Sequence, residues 1–329
     1  MKKTISAIII SAVFIASQYF VVASALPSPL SVTERMNAKS QDLDALSPLE
    51  IATLMNNEDG LVAAAITPCL PNIATAIATI AKSFQQGGRL IYLGAGSSGR
   101  LGVLDASECV PTFAAPPTQV VGIIAGGDQA LRNALEGVED NEALAEQDLT
   151  KLDVTSKDVV CGISASGSAA YVARALAYAR ERGCYTIAVG CNPGAVVGKN
   201  VNCFIAANVG PEILTGSTRL KAGTATKMIL NMLTTGAFIL CGKVYKNLMI
   251  DVKPLNKKLF KRCYRIISTV CDVDETQAAE LFEKAGQDIK GAILIHMFGV
   301  DCQQAQECLK AHKGLLRDAV KAMGCVKPV

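Results

Sequence analysis

Five apolar stretches of strand length recur along the chain, and each runs into a glycine- or serine-rich turn. They are RLIYLGAG from Arg89, QVVGIIAGG from Gln119, DVVCGISASGS from Asp158, YTIAVGCNPG from Tyr185 and CFIAANVG from Cys203. Helical segments lie between them, such as AAYVARALAYARERG, and a long one closes PEILTGSTRLKAGTATKMILNMLTTGAFIL. A continuous apolar run without alternation is the signature of a strand buried on both faces. Strands alternating with helices at this spacing predict an α/β fold, a doubly wound parallel sheet. Upstream, SPLEIATLMNN predicts a helix capped by Ser47 with Pro48 in its first turn, and LPNIATAIATIAKSFQQGG predicts one stopped at Gly87 and Gly88. The segment QALRNALEGVEDNEALAEQDL reads as a helical region continuing to Leu149. Past Asp251 the pattern is wholly helical, with DETQAAELFEKAG, DIKGAILIHMFG and DCQQAQECLKAHKG each started by an acid and stopped by glycine.

Three stretches are thereby delimited: an extension over 1–28, the α/β domain over 29–250 and a small helical module over 251–329. The extension has Lys2 and Lys3, an apolar run from Ile5 to Ala16 and an Ala23-Ser24-Ala25 pattern. That is the layout of a secretory signal peptide, and the run is too short and interrupted for a membrane span. Twelve cysteines, mostly inside apolar segments and without CxxC or metal-ligand spacing, oppose export, since an oxidising compartment would mispair them. The charge balance of 32 Lys+Arg against 29 Asp+Glu and the absence of Trp disfavour a nucleic-acid surface.

The glycines Gly94, Gly96 and Gly99 spell GxGxxG behind the first strand. A dinucleotide site also wants an acid about 20 residues further on for the ribose. That region here is PTFAAPPTQV, with none. Gly96, Ser97 and Ser98 instead suit a compact phosphate monoester at a helix N-terminus. The third strand repeats this at Ser164, Ser166, Gly167 and Ser168. Open α/β sheets bind ligands beyond the carboxyl ends of their strands, so both loops are placed to face one ligand. A third polar loop, TGSTRLKAG, offers Ser217, Thr218, Arg219 and Lys221. His296 and His312, the only histidines, lie in the helical tail, so no Ser-His-Asp triad assembles in the α/β part. Carboxylates are left: Glu108, following the first loop, and Glu136, Glu139 and Asp140 in LEGVED.

These motifs, with SECVPT, IAGGDQALRNALEGVED, ISASGSAAYV, CNPG and GPEILTGSTRLKAGTATKMILNMLTTGA, resemble the N-acetylmuramic acid 6-phosphate etherase family. The likeness is nearly continuous from VTERMNAKSQDLDALSPLEI through KVYKNLMIDVKPLNKKL into the helical tail. It implies a sugar isomerase (SIS) fold, shared with the glucokinase regulatory protein. The implied activity is a carbon–oxygen lyase that eliminates D-lactate from carbon 3 and adds water, giving N-acetylglucosamine 6-phosphate in amino-sugar recycling. It implies no cofactor and no metal. The expected partner is a small sugar phosphate bound by a homodimer, with neither nucleic acid nor stable membrane association; the expected location is the cytoplasm, with periplasmic export through the signal-like extension as the alternative. The family's two glutamates fall by motif on Glu108 of DASE and Glu139 of EGVED. Glu108 is then the acid that protonates the leaving lactate, and Glu139 the base for the carbon 2 proton. The family usually reads ASGRTPYV where this chain has ASGSAAYV, so Ser168-Ala169-Ala170 replaces an arginine-threonine-proline. A sugar-phosphate sensor without catalysis and a sugar-phosphate isomerase are the competing expectations.

Overall fold

The computed structural model describes residues 30–325 apart from 253 and 255, so the signal-like reading of residues 1–28 lies outside the described residues. Five strands form one parallel sheet: β1 Leu90–Gly94, β2 Val120–Ile124, β3 Val159–Ile163, β4 Tyr185–Gly190 and β5 Cys203–Ala206. Their order is β2-β1-β3-β4-β5, with Leu90 opposite Val120 on one side and Val159 on the other. Successive side chains of a strand point to opposite faces. Leu90, Tyr92, Val159 and Cys161 accordingly enter one core, while Ile91, Leu93 and Val160 enter the other.

The helices α1 Pro48–Asp59, α2 Val62–Ile66 and α3 Leu70–Gln85 precede the sheet. Ser47 and Glu50 close a reciprocal capping box at the start of α1. Helix α4 Gly96–Phe113 follows β1, α5 Gly127–Arg132 and α6 Glu142–Lys151 follow β2, α7 Ala170–Glu181 follows β3 and α8 Lys221–Leu240 follows β5. Ile73, Ile80 and Phe84 of α3 join Ile229, Leu233 and Phe238 of α8 over one face of the sheet. Leu149 of α6 and Tyr171, Val172 and Leu176 of α7 cover the other. This is the α/β architecture expected.

One expected helix is broken. The region from Gln129 to Leu149 is α5 and α6 separated by an extended link and a single 3-10 turn, Val138–Asp140. Gly137 stands at φ 73°, a left-handed backbone that a helix interior cannot contain, and the Asn141 side chain accepts from Leu144 N–H to begin α6 anew. The apolar spacing runs on across the break because each helix buries apolar residues of its own, Ala130 in α5 and Ala145 and Leu149 in α6. The break takes Glu139 out of an α-helix and sets it in the 3-10 turn of the link between α5 and α6.

After α8, a short antiparallel pair, β6 Val244–Tyr245 with β7 Leu248–Met249, leads into α9 Lys257–Cys271, α10 Glu275–Lys284, α11 Ile289–Phe298, α12 Cys302–Ala311 and α13 Leu316–Cys325. Asp274, Asp288 and Asp301 cap α10, α11 and α12. These helices bury a core of their own around Cys263, Ile267, Phe282 and Ile293. Eleven cysteines are free thiols among the described residues. Burial pushes the Cys109 and Cys191 thiols up to about 12, so they pack as small apolar groups.

Candidate active site

The chain leaves β1 for β2 on one side and returns to β3 on the other, so the carboxyl ends of β1 and β3 form the topological switch point. A cavity of about 220 Å³ lies there, lined by Gly96, Ser97 and Ser98 after β1, Ser164 and Ser166 after β3, Thr218 and Thr226 at the start of α8, and Glu139. Four loops far apart in sequence thus meet. The volume is below the range of drug-sized ligand pockets, and it suits part of a sugar phosphate better than a dinucleotide.

The first loop is built for an anion. Ala95, the N-cap of α4, offers no side-chain cap, so the first-turn N–H groups of Gly96, Ser97 and Ser98 are left for a ligand, with the positive end of the helix behind them. Gly99 allows the helix to start this close to the strands. A Cβ there would stand 2.6 Å from the Gly94 carbonyl oxygen and 2.7 Å from Ile124 Cγ1. Gly99→Ala is therefore expected to destabilise the protein by about 2 kcal/mol, read by chemical unfolding, and to weaken sugar-phosphate binding by displacing Ser97 and Ser98.

The second loop holds itself. Ser164 Oγ accepts from Gly167 N–H at 3.1 Å, and the Ser166 and Ser168 hydroxyls share a 2.8 Å hydrogen bond. Gly167 turns the chain at φ 74° against Ala195, and Ser168 is exposed, so neither residue lines the cavity while Ser164 and Ser166 do. On the third loop, Thr218 lines the cavity with Ser217 half-buried and Arg219 exposed beside it.

Lys221 takes a different place. It is 2 % exposed and its ammonium donates to Glu58 at 2.5 Å. Its N–H and that of Ala222 donate to the carboxylate of Glu212, which caps α8. Burial pushes Glu212 above the ordinary carboxylate range, against these two bonds. Sequence reading passed over Glu58 and Glu212; the one available signal was an acid ahead of a helix start in GPEILTGSTRLK. Of the described cavity-lining residues, Glu139 alone is charged.

Glu108, the other candidate for acid–base chemistry, does not line the cavity. It is exposed and lies eleven residues beyond Ser97 on α4. At the rise of an α-helix that is about 16 Å along the axis, on the same face of the helix. Glu136, the neighbour of Glu139 in LEGVED, is exposed and does not line the cavity.

The sequence is similar to those of known proteins. Residues 72–180 match the N-terminal SIS domain of glucokinase regulatory protein, 133–236 the SIS domain, and 246–290 the C-terminal lid domain of glucokinase regulatory protein. The N-acetylmuramic acid 6-phosphate etherase of Serratia proteamaculans is 50% identical over 289 residues, 88% of this chain and 97% of its own. That of Staphylococcus epidermidis is 48% identical over 88% of this chain and 98% of its own. A phosphoheptose isomerase structure from Francisella tularensis aligns at TM-score 0.44 and 17% identity, over 60% of this chain and 97% of that one.

Proposed function

The chain belongs to the N-acetylmuramic acid 6-phosphate etherase family, and from that premise we propose how its cavity performs the reaction. The protein is a lyase that cleaves the lactyl ether of N-acetylmuramic acid 6-phosphate, in amino-sugar recycling. The observation that carries the site assignment is the meeting of two serine loops and one glutamate at the switch point of the sheet.

The phosphate seats on the free N–H groups opening α4, with the hydroxyls of Ser97, Ser98, Ser164 and Ser166 as its hydrogen-bond partners. Gly96 and Gly167 shape the two loops, and Ser168 steadies Ser166. Arg219 and Ser217 flank the entrance and meet the lactyl carboxylate. Lys221 serves from inside, with Glu212, by fixing the start of α8.

The open-chain sugar carries an aldehyde, which acidifies the proton on carbon 2. Glu139 removes that proton, and the electron pair passes through the enolate to expel the oxygen on carbon 3. Lactate leaves as its alkoxide, so a neutral carboxylic acid must supply a proton; Glu108 does so. As a carboxylate it then takes a proton from water, which adds to carbon 3, while carbon 2 recovers its proton from Glu139. The elimination needs one carboxyl as proton donor and the other as proton acceptor, and two separate glutamates divide those roles. The exposed, distant position of Glu108 supports a homodimer in which Glu108 of one copy faces the cavity of the other. A phosphorylated substrate and many buried thiols support a cytoplasmic location.

The test is direct. Purified protein supplied with N-acetylmuramic acid 6-phosphate is expected to release D-lactate stoichiometrically with N-acetylglucosamine 6-phosphate. Binding without lactate would make it a sensor, and aldose–ketose interconversion without lactate an isomerase.

A further inference from the structure

The segment Ser31–Ser40 lies outside the sheet and its helices, yet it touches two of the cavity's loops. Its buried side chains are Thr33, 1 % exposed, and Asn37, 8 %, whereas Met36 is 72 % exposed. A segment held by the hydrophobic effect would bury the methionine. This one buries hydrogen-bonding groups instead, which add little net stability but fix direction.

Each buried group leads to a different loop. Thr33 N–H donates to Asn192 Oδ1 at 3.4 Å, and Asn192 Nδ2 donates to Thr33 Oγ1 at 3.1 Å and to the Ser166 carbonyl at 2.7 Å. Thr33 therefore fixes the second serine loop through one intermediary. Asn37 Nδ2 donates to the Pro211 carbonyl at 3.2 Å and to Glu58 at 2.8 Å. Glu58 in turn accepts from Lys39 and from Lys221, the first residue of α8. The Glu34 carboxylate lies against Gly216, where a Cβ would come within 3.5 Å of it. The third loop is thus held at both ends, at Pro211 and at Lys221, with Thr218 between them.

We propose that this segment is a brace that sets the distance between Ser166 and Thr218, with Thr33 and Asn37 as positioning residues for substrate. The sheet does not fix that distance, because the two loops leave β3 and β5 with β4 between them. The brace joins the two loops through Asn192 on one side and through Pro211, Glu58 and Lys221 on the other, and none of its own residues lines the cavity. The inference rests on the cavity being the sugar-phosphate site.

Hydrogen–deuterium exchange and steady-state kinetics test it on one set of variants. Thr33→Val is expected to speed amide exchange over 164–168 about tenfold and to raise KM about tenfold, with kcat changing less than about threefold. Thr33→Ser, which keeps the hydroxyl, restores both. Asn37→Ser does the same to exchange over 211–218. A folded Thr33→Val protein with unaltered exchange at 164–168, or with unaltered KM, overturns the brace, as does a Thr33→Ser protein no better than Thr33→Val. If both Thr33→Val and Asn37→Ser fail to fold, the segment serves global stability and the brace is likewise rejected. Wild-type protein that releases no lactate would refute the etherase reading alone, since the exchange readout does not need turnover.

Discussion

Glu108→Gln is expected to abolish D-lactate release, a loss of about 10³-fold, while exchange of the substrate's carbon 2 proton with solvent deuterium continues. The amide fills the same space but holds no proton for the departing alkoxide, so the enolate forms and reverts. Glu139→Gln is expected to lose both reactions, because no base then begins the sequence. Loss of exchange in a correctly folded Glu108→Gln protein would show that these roles are wrong. The same two variants report the subunit arrangement. In a twofold dimer that shares its sites, mixing them leaves one intact site in each mixed dimer, and random assortment returns about a quarter of wild-type activity. If each chain supplies both glutamates to its own cavity, the mixture stays inactive. The placement of Glu108 about 16 Å down α4 from Ser97 is the reason to expect recovery.

What was legible in the sequence was whatever depends on neighbours along the chain. Buried parallel strands announced themselves because both faces demand apolar side chains, and the caps at Ser47, Asp274, Asp288 and Asp301 act within three residues. The serine loops were visible because each joins a strand end to a helix start. The break between α5 and α6 was hidden, since Gly137 inside an amphipathic spacing looks like a tolerated residue until its backbone angle is seen. Longer-range partners were hidden more deeply. Lys221 reads as a cation beside a phosphate loop, yet its partner Glu58 stands 163 positions earlier. Buried Tyr92 and Asp105 and half-buried Asn231 likewise form a hydrogen-bonded set joining β1, α4 and α8, which no local pattern signals. Polar groups buried by tertiary contact obey geometry that one-dimensional spacing does not carry.

That same Glu58–Lys221 pair gives the largest expected stability effect. The two side chains are 4% and 3% exposed, and Glu58 also accepts from Lys39 and Asn37. Burial raises the Glu58 pKa, but the bonds from Lys221, Lys39 and Asn37 outweigh it and bring the carboxyl from 4.5 to about 2. A carboxyl depressed on folding adds stability that is present above its unfolded pKa and is lost as pH falls through its folded one. The contribution is therefore expected to drain between pH 4.5 and about 2. Removing one partner is costlier than removing both, because the survivor is left charged in a dry interior. Glu58→Leu and Lys221→Met are each expected to lose about 3–5 kcal/mol in urea unfolding at pH 7, while the double variant recovers to within about 1 kcal/mol of wild type. The double variant is also expected to lack the wild-type fall in stability over that acid window. Equal losses in the single and double variants would show that the pair is attractive beyond its desolvation, and an unchanged acid limb would show that Glu58 does not govern it.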